Sequence, residues 1–277
     1  MGINENSKTG WERERRTHFD EIAINYDKVR WEYPPELFAD IFRYNEINAE
    51  KNALEIGIGT GKATAPFLAA GYAVTAAELS VHMAEFVRNK YKNYDNFNVI
   101  VSAFEEIDLR KNSYDLIYAA SAFHWVDAEK GCPKALGLLK SGGIFALFRN
   151  NLVRGYEVYE ETKEFYNKYY FSVYPANKSS SPKTREDMSS PSGIYHGYRF
   201  YTMEQYGFVD TVMKFYEVTL SYSTEEYIDL LETFADYRSL PESNKAALYA
   251  GIRETIKRHG GYCKQDYLFQ LYMGRKP

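Results

Sequence analysis

The sequence predicts an α/β fold: a doubly wound, mostly parallel seven-stranded sheet with an antiparallel edge strand and a helical cap. Three observations predict it. Short apolar strand patterns alternate with helical patterns through the first half of the chain, as βαβ units require. A glycine-rich turn, Gly57-Ile58-Gly59-Thr60-Gly61, ends the first of these strands and leads into a helix. Two further strand patterns return late, at 207–220 and 262–273, where they can pair antiparallel at one edge of the sheet.

From Thr17 to Arg30, apolar Phe19, Ile22, Ala23, Tyr26 and Val29 recur at three- and four-residue steps, which predicts a helix. Tyr33-Pro34-Pro35 breaks it, and a second helix runs over 36–44. The segment 52–57 reads as a short apolar strand. A helix over 62–70 closes at Gly71, a residue suited to the position just past a helix end. A strand at 72–78 is followed by Ser80, which can cap a helix reaching Tyr91. Strands at 97–101 and 114–120, a helix over 127–139 and a strand at 144–148 complete the alternation. Right-handed crossovers then place helices on both faces of the sheet.

After Arg149 the pattern changes. Residues 152–172 read as an aromatic helix, and the Ser/Pro-rich stretch 177–193 as a surface loop. Two helices follow the strand at 207–220. Each carries a capping box, Ser223 with Glu226 and Ser239 with Glu242, the second with Pro241 at the first helical position. The organisation expected is N-terminal lid helices over 1–45, a ligand-binding core over 46–150 completed by strands 207–221 and 260–277, and a substrate cap from 151–206 and 223–259.

The chain has 277 residues, a formal net charge of −4 and a pI near 5.8. It lacks the basic footprint of a nucleic-acid binder. Cys132 and Cys263 lie far apart without a partner motif, and His18, His82, His196 and His259 show no ligand spacing, so no metal is expected. No apolar run approaches the ~20 residues that span a bilayer. The polar start has no signal-peptide pattern, and a cytoplasmic location is expected. The 26 tyrosines and 17 phenylalanines suit a pocket or interface that needs apolar bodies with polar tips, or equally a Tyr-rich surface.

The glycine spacing narrows the ligand. A dinucleotide turn, G-x-G-x-x-G, would place glycine at position 62, where Lys62 stands. A triphosphate loop would follow Lys62 with Ser or Thr, and Ala63 follows instead. Glu78, at the end of the second strand, can accept both hydroxyls of a ribose. Glu55, two residues before the turn, repels phosphate and suits a cationic ligand. The two carboxylates can also be solvated strand ends.

At these residues the chain resembles class I S-adenosylmethionine-dependent methyltransferases of the small-molecule type. "LEIGIGTG" (54–61) is similar to their first motif, and "VSAFEEIDL" (101–109), "YDLIYAASAFHWVD" (114–127) and "LLKSGGIFALF" (138–148) are similar to later ones in order. "SAFHWVD" resembles the trans-aconitate methyltransferase-like group. The resemblance covers about 15–150 and, weakly, the last two strands. It implies a Rossmann-like methyltransferase fold with S-adenosylmethionine as cofactor. Gly57, Gly59 and Gly61 would approach its amino-acid moiety, and Tyr26 and Arg30 would close over the carboxylate. Glu78 would bind the ribose and Leu79 flank the adenine, with Ser102, Ala103 and Phe104 at the adenine edge. Many members carry Asp where this chain has Ser102. Ala120 and Ser121 would line the sulfonium side.

Methyl transfer from a sulfonium is an in-line displacement, in which alignment supplies much of the rate. A general base is needed only where the acceptor carries a proton at neutral pH. His124 is the candidate base, or else packs beside the cofactor or caps the next helix. Trp125, with Phe123, can form a pocket wall or belong to the core. Arg149 can receive an acidic substrate or face solvent. The expected partner is a small-molecule acceptor, with no nucleic acid and no membrane, the chain being a monomer or homodimer. The alternatives are a cofactor-binding protein without catalysis, or a protein or nucleic-acid methyltransferase.

Overall fold

The computed structural model describes residues 27–44, 51–153, 156–175 and 200–277. Tyr26, most of the helix expected from Thr17, and the loop expected at 177–193 lie outside these residues. Seven strands form one sheet: β1 (Asn52–Ile56), β2 (Ala73–Glu78), β3 (Phe97–Val101), β4 (Tyr114–Ala120), β5 (Leu139–Val153), β6 (Val209–Ser223) and β7 (Tyr262–Arg275). Their order is β3-β2-β1-β4-β5-β7-β6. The first five run parallel to one another, and β7 runs antiparallel to both β5 and β6. The antiparallel strand thus sits one place in from the edge, with β6 outside it.

Strand alternation sorts the core onto two faces. Leu54, Ile56, Ile117, Ala119, Phe145 and Leu147 pack on one side, Ala53, Leu116, Tyr118, Ile144, Ala146 and Phe148 on the other. On the second side Tyr118 lies against Phe67, ring centroids 4.3 Å apart, and stacks on Phe148 at 6.1 Å. The helices are α1 (Pro35–Tyr44), α2 (Thr64–Ala69), α3 (Val81–Lys90), α4 (Ala128–Leu138), α5 (Tyr156–Phe165), α6 (Thr224–Glu232), α7 (Ala235–Arg238) and α8 (Glu242–Arg258). A π-type turn, Tyr166–Tyr170, continues α5.

Helix starts follow the side chains that can satisfy their free N–H groups. Ser80 caps α3 by accepting from Met83 N, and Asp127 caps α4 by accepting from Glu129 N. Ser223 and Glu226 form the capping box of α6. The box expected at Ser239 and Glu242 does not form. Glu242 is the first helical residue, so it is two positions too early to reach back as a box requires. Ser239 instead ends α7, and Pro241 is the residue before α8, with no side-chain cap.

The tyrosines build the cap. Tyr166, Tyr170, Tyr227 and Tyr249 are buried there, and pairs of hydroxyls satisfy one another: Tyr237 donates to Tyr166, and Tyr222 meets Tyr267. Gly251 of α8 lets the Phe165 ring approach so closely that an added Cβ would stand 2.4 Å from it. No helix among the described residues is long and apolar enough to cross a membrane.

Candidate active site

The sheet order reverses between β1 and β4, since β1 continues toward β2 while β4 continues toward β5. Ligands in such sheets bind beyond the carboxyl ends of the strands at this reversal. A cavity of about 460 Å³ lies there, within the range of small-molecule sites.

The glycine turn after β1 forms one wall. Gly57, Gly59 and Gly61 all take positive φ, at 68°, 54° and 78°. A Cβ on Gly57 would stand 2.7 Å from Ala122 Cβ, whereas one on Gly59 would meet nothing within 4 Å and would enter the cavity that Gly59 lines. Gly61, expected beside the ligand, is not among the lining residues. A Cβ there would strike the Tyr91 ring at 2.7 Å, and the Gly61 carbonyl accepts from the Tyr91 hydroxyl at 2.6 Å. Its glycine is required by the packing of Tyr91 at the end of α3.

Glu78, at the end of β2, is 8% exposed and lines the cavity. Its two oxygens accept from Gly59 N at 3.0 Å and Ser80 N at 2.9 Å. Leu79, Ser102, Ala103 and Phe104 continue this wall, and Ser102 N donates to Glu78 O. Ala120 and Ser121, at the end of β4, close the middle. Ser121 has φ of 53°, an uncommon conformation for a residue with a side chain, and its hydroxyl meets the Tyr33 hydroxyl at 3.0 Å.

Glu55 is 1% exposed yet lines the same cavity. Its Oε2 accepts from Thr64 Oγ1 at 2.6 Å and from the Tyr118 hydroxyl at 2.8 Å. Burial pushes the carboxyl up to about 7, and Glu78 nearby adds to the rise. The two hydrogen bonds and the Lys90 charge act against it. The sequence indicated Glu55 but not its clamp, because Thr64 and Tyr118 reach it from α2 and β4.

Arg30, Trp31 and Tyr33 line the cavity together with Phe234 of the cap. The Arg30 guanidinium lies 4.0 Å from the Phe234 ring centre and 4.6 Å from that of Trp31, and donates to Thr233 O at 3.3 Å. Asp27 pairs with Lys90, and Glu32 with Lys62. Arg30 therefore lines the cavity while joining this segment to the cap, a partnership the sequence reading did not contain. Among the described residues, Tyr33 is the tyrosine that lines the cavity.

His124 and Trp125 occupy a short 3₁₀ turn, Phe123–Trp125, and both line the cavity with their rings 4.7 Å apart. Helix α4 is capped by Asp127, so His124 does not cap it, and Phe123 is buried in the core. At the far wall β5 is longer than its sequence pattern. It runs from Leu139 to Val153, and Arg149, Asn150 and Asn151 line the cavity. Arg149 is 8% exposed, and its Nε donates to Gln270 Oε1 at 3.3 Å.

A ribose-bearing cation fits these residues. The open space at Gly59 is a cradle that a Cβ would fill, and two carboxylates, Glu55 and Glu78, line the same cavity as the turn. Residues 54–147 match the family model of the methyltransferase domain. An uncharacterised methyltransferase of Schizosaccharomyces pombe is 25% identical over 243 residues, which is 87% of this chain and 88% of that protein. The "probable S-adenosylmethionine-dependent methyltransferase CRG1" of Saccharomyces cerevisiae is 27% identical over 46% of this chain, and the match spans only 44% of that protein. The structure of phosphoethanolamine N-methyltransferase 2 from Haemonchus contortus, in complex with S-adenosyl-L-methionine, shares the fold. Its TM-score is 0.55 at 15% identity, over 95% of this chain and 59% of that one.

The match over residues 54–147 and the methyltransferase relatives support a methyltransferase activity for this chain. Its cofactor is S-adenosylmethionine.

Proposed function

We propose that the enzyme transfers the cofactor's methyl group, by in-line displacement, to a small acidic molecule held at the far wall of this cavity. One observation carries the reading: the carboxylates Glu55 and Glu78 end β1 and β2, whereas Arg149, Asn150 and Asn151 extend β5. β2 and β5 are three strand spacings apart, roughly 14 Å at about 4.8 Å per strand. That distance leaves room for a cationic donor at one wall and an anionic acceptor at the other. The likeness of "SAFHWVD" to the trans-aconitate methyltransferase-like group supports the same acceptor chemistry.

Bound, the cofactor supplies a methyl group already activated by a positively charged sulfur. Gly57 and Gly59 would let the backbone approach its amino-acid end, with Arg30 on the same cavity wall. Glu78 accepts the ribose hydroxyls, and Leu79, Ser102, Ala103 and Phe104 hold the adenine. Ala120 and Ser121 flank the sulfur. Arg149 orients an acceptor carboxylate through paired N–H donors. Trp31 and Phe234 exclude water above the reacting atoms, and Trp125 walls the acceptor. His124 takes a proton where the acceptor atom is an O–H or N–H; a carboxylate acceptor needs no base. The chain acts as a monomer or homodimer in the cytoplasm, without nucleic acid or membrane.

The test incubates the full chain with S-adenosylmethionine and panels of small carboxylic acids, phenols, amines, peptides and oligonucleotides, with S-adenosylhomocysteine release and product mass as readouts. Turnover confined to small acids is expected. Turnover on peptides or oligonucleotides alone, or cofactor binding with no turnover on any class, refutes the proposal.

A further inference from the structure

Glu55 brings to the cavity a chemistry that displacement itself does not use. Its carboxyl is buried, yet it lines the space beside the glycine turn. Both its donors, Thr64 and Tyr118, aim at Oε2, and no described residue donates to Oε1. The group therefore has one oxygen fixed by the fold and one left to answer what occupies the cavity. We propose that Glu55 sets the preference for the methyl donor over its spent product, ionising to meet the positive sulfur and regaining a proton when that charge is gone. The inference rests on the cofactor occupying this cavity.

The charges balance. The methyl carbon leaves the sulfur, which keeps the bonding pair and becomes a neutral thioether. The acceptor atom forms the new bond with its own pair. The positive charge on sulfur is then gone and the acceptor is one unit more positive, a carboxylate becoming a neutral ester, so the total is unchanged; once the methylated product leaves, the cavity holds the neutral thioether alone and the Glu55 carboxylate binds one proton from solvent. S-adenosylmethionine and S-adenosylhomocysteine differ by this charge, so a carboxylate that titrates nearby favours the first only while ionised.

The surroundings of Glu55 leave it able to do so. Burial holds its carboxyl near 7, Glu78 at the end of β2 raises it, and Lys90 on α3 lowers it. Thr64 on α2 does not titrate. Tyr118 on β4 is pushed well above its usual range by burial, as is Tyr91 at the end of α3. Asp27 and Glu32 are paired with Lys90 and Lys62. Glu78 accepts from two backbone N–H groups. His124, Arg30, Glu105 and Arg149 line the same cavity.

Calorimetric titration of the ligand-free full chain with each ligand, from pH 5.5 to 7.5, tests this. Repeating it in two buffers of different ionisation enthalpy counts protons. S-adenosylmethionine binding is expected to tighten about tenfold over this range with proton release, and S-adenosylhomocysteine binding to change less than about twofold. In Glu55→Gln the ratio of the two affinities is expected to stay flat, which also removes the ligand's own amino-group titration from the comparison. A flat ratio in the wild type, or an undiminished slope in Glu55→Gln, overturns the inference and points to His124. If the variant does not fold, the wild-type proton counts decide: equal release with both ligands overturns it. If both ligands bind with a flat ratio, this inference falls and the cofactor site stands. If neither binds at any pH, both fall.

Discussion

Replacing Glu55 with Gln should stabilise the ligand-free protein at pH 8 and leave it nearly unchanged at pH 5. Burial raises this carboxyl from 4.5 to about 7 in the folded chain. The native state therefore holds a proton that the unfolded chain releases between those values. Stability from Glu55 is fully present below pH 4.5 and is lost as pH rises through 7. At about 1.36 kcal/mol per unit, the ionised form costs about 3 kcal/mol at pH 8. Gln removes that cost and fits the clamp, because Thr64 and Tyr118 both donate to one oxygen and the amide oxygen can take its place. An unfolding entropy of about 2.1 cal/mol/K per residue, over 277 residues, converts this to a rise in Tm of about 5 °C. Thermal melts of both proteins at pH 5 and pH 8 provide the measurement. An equal Tm difference at the two pH values, or a variant less stable at pH 8, refutes the reasoning.

Gly57→Ala should lose about 1–3 kcal/mol of stability through its clash with Ala122, whereas Gly59→Ala, with open space ahead of it, should melt within a few degrees of the wild type yet bind S-adenosylmethionine at least tenfold more weakly; melts and calorimetry separate the two. Ser223→Ala should cost about 1 kcal/mol by denaturant titration, and Ser239→Ala less than about 0.5 kcal/mol, because only the first caps a helix. Arg149→Gln should raise the acceptor KM at least tenfold, from a lost charged hydrogen bond of about 1.5–3 kcal/mol, with cofactor affinity within twofold. An equal loss of cofactor affinity would place Arg149 outside the acceptor wall.

Features written in local spacing were legible before the structure. Alternation located all seven strands, since one face of each must meet helices and the other face more helices. The glycine turn, Ser80 and the Ser223–Glu226 pair follow from backbone needs within a few residues of themselves. What escaped depends on partners distant in sequence. Arg30 meets Phe234 and Thr233 some 200 positions later. Gly61 reads as a ligand glycine, but its positive φ serves the Tyr91 contact from the end of α3. Tyrosine content could not separate pocket from cap core, because both want an apolar ring with a satisfied hydroxyl. The polar run Arg149-Asn150-Asn151 looked like the end of a strand. It remains in β5 because β7 pairs with it, Arg149 opposite Gln270 and Asn151 opposite Leu268.

That extension gives the site a division of labour. β4 pairs with β5 only as far as Ala120 opposite Phe148, so beyond Phe148 one edge of β5 has lost its parallel neighbour while β7 holds the other. The polar residues there line the cavity on a strand fixed by its antiparallel partner, which positions them more firmly than a loop would. The same ladder anchors the cap. Ser223 at the end of β6 stands opposite Tyr262 at the start of β7, and everything between them, α6 to α8 with Phe234, is an insertion on that closed base. Changes within the insertion can therefore reshape the part of the cavity that Phe234 lines while Glu55, Glu78 and the glycine turn, on the other side of the reversal, keep their places. On the proposed reading, this is the physical reason why the residues assigned to the methyl donor carry a readable pattern and those assigned to its acceptor do not.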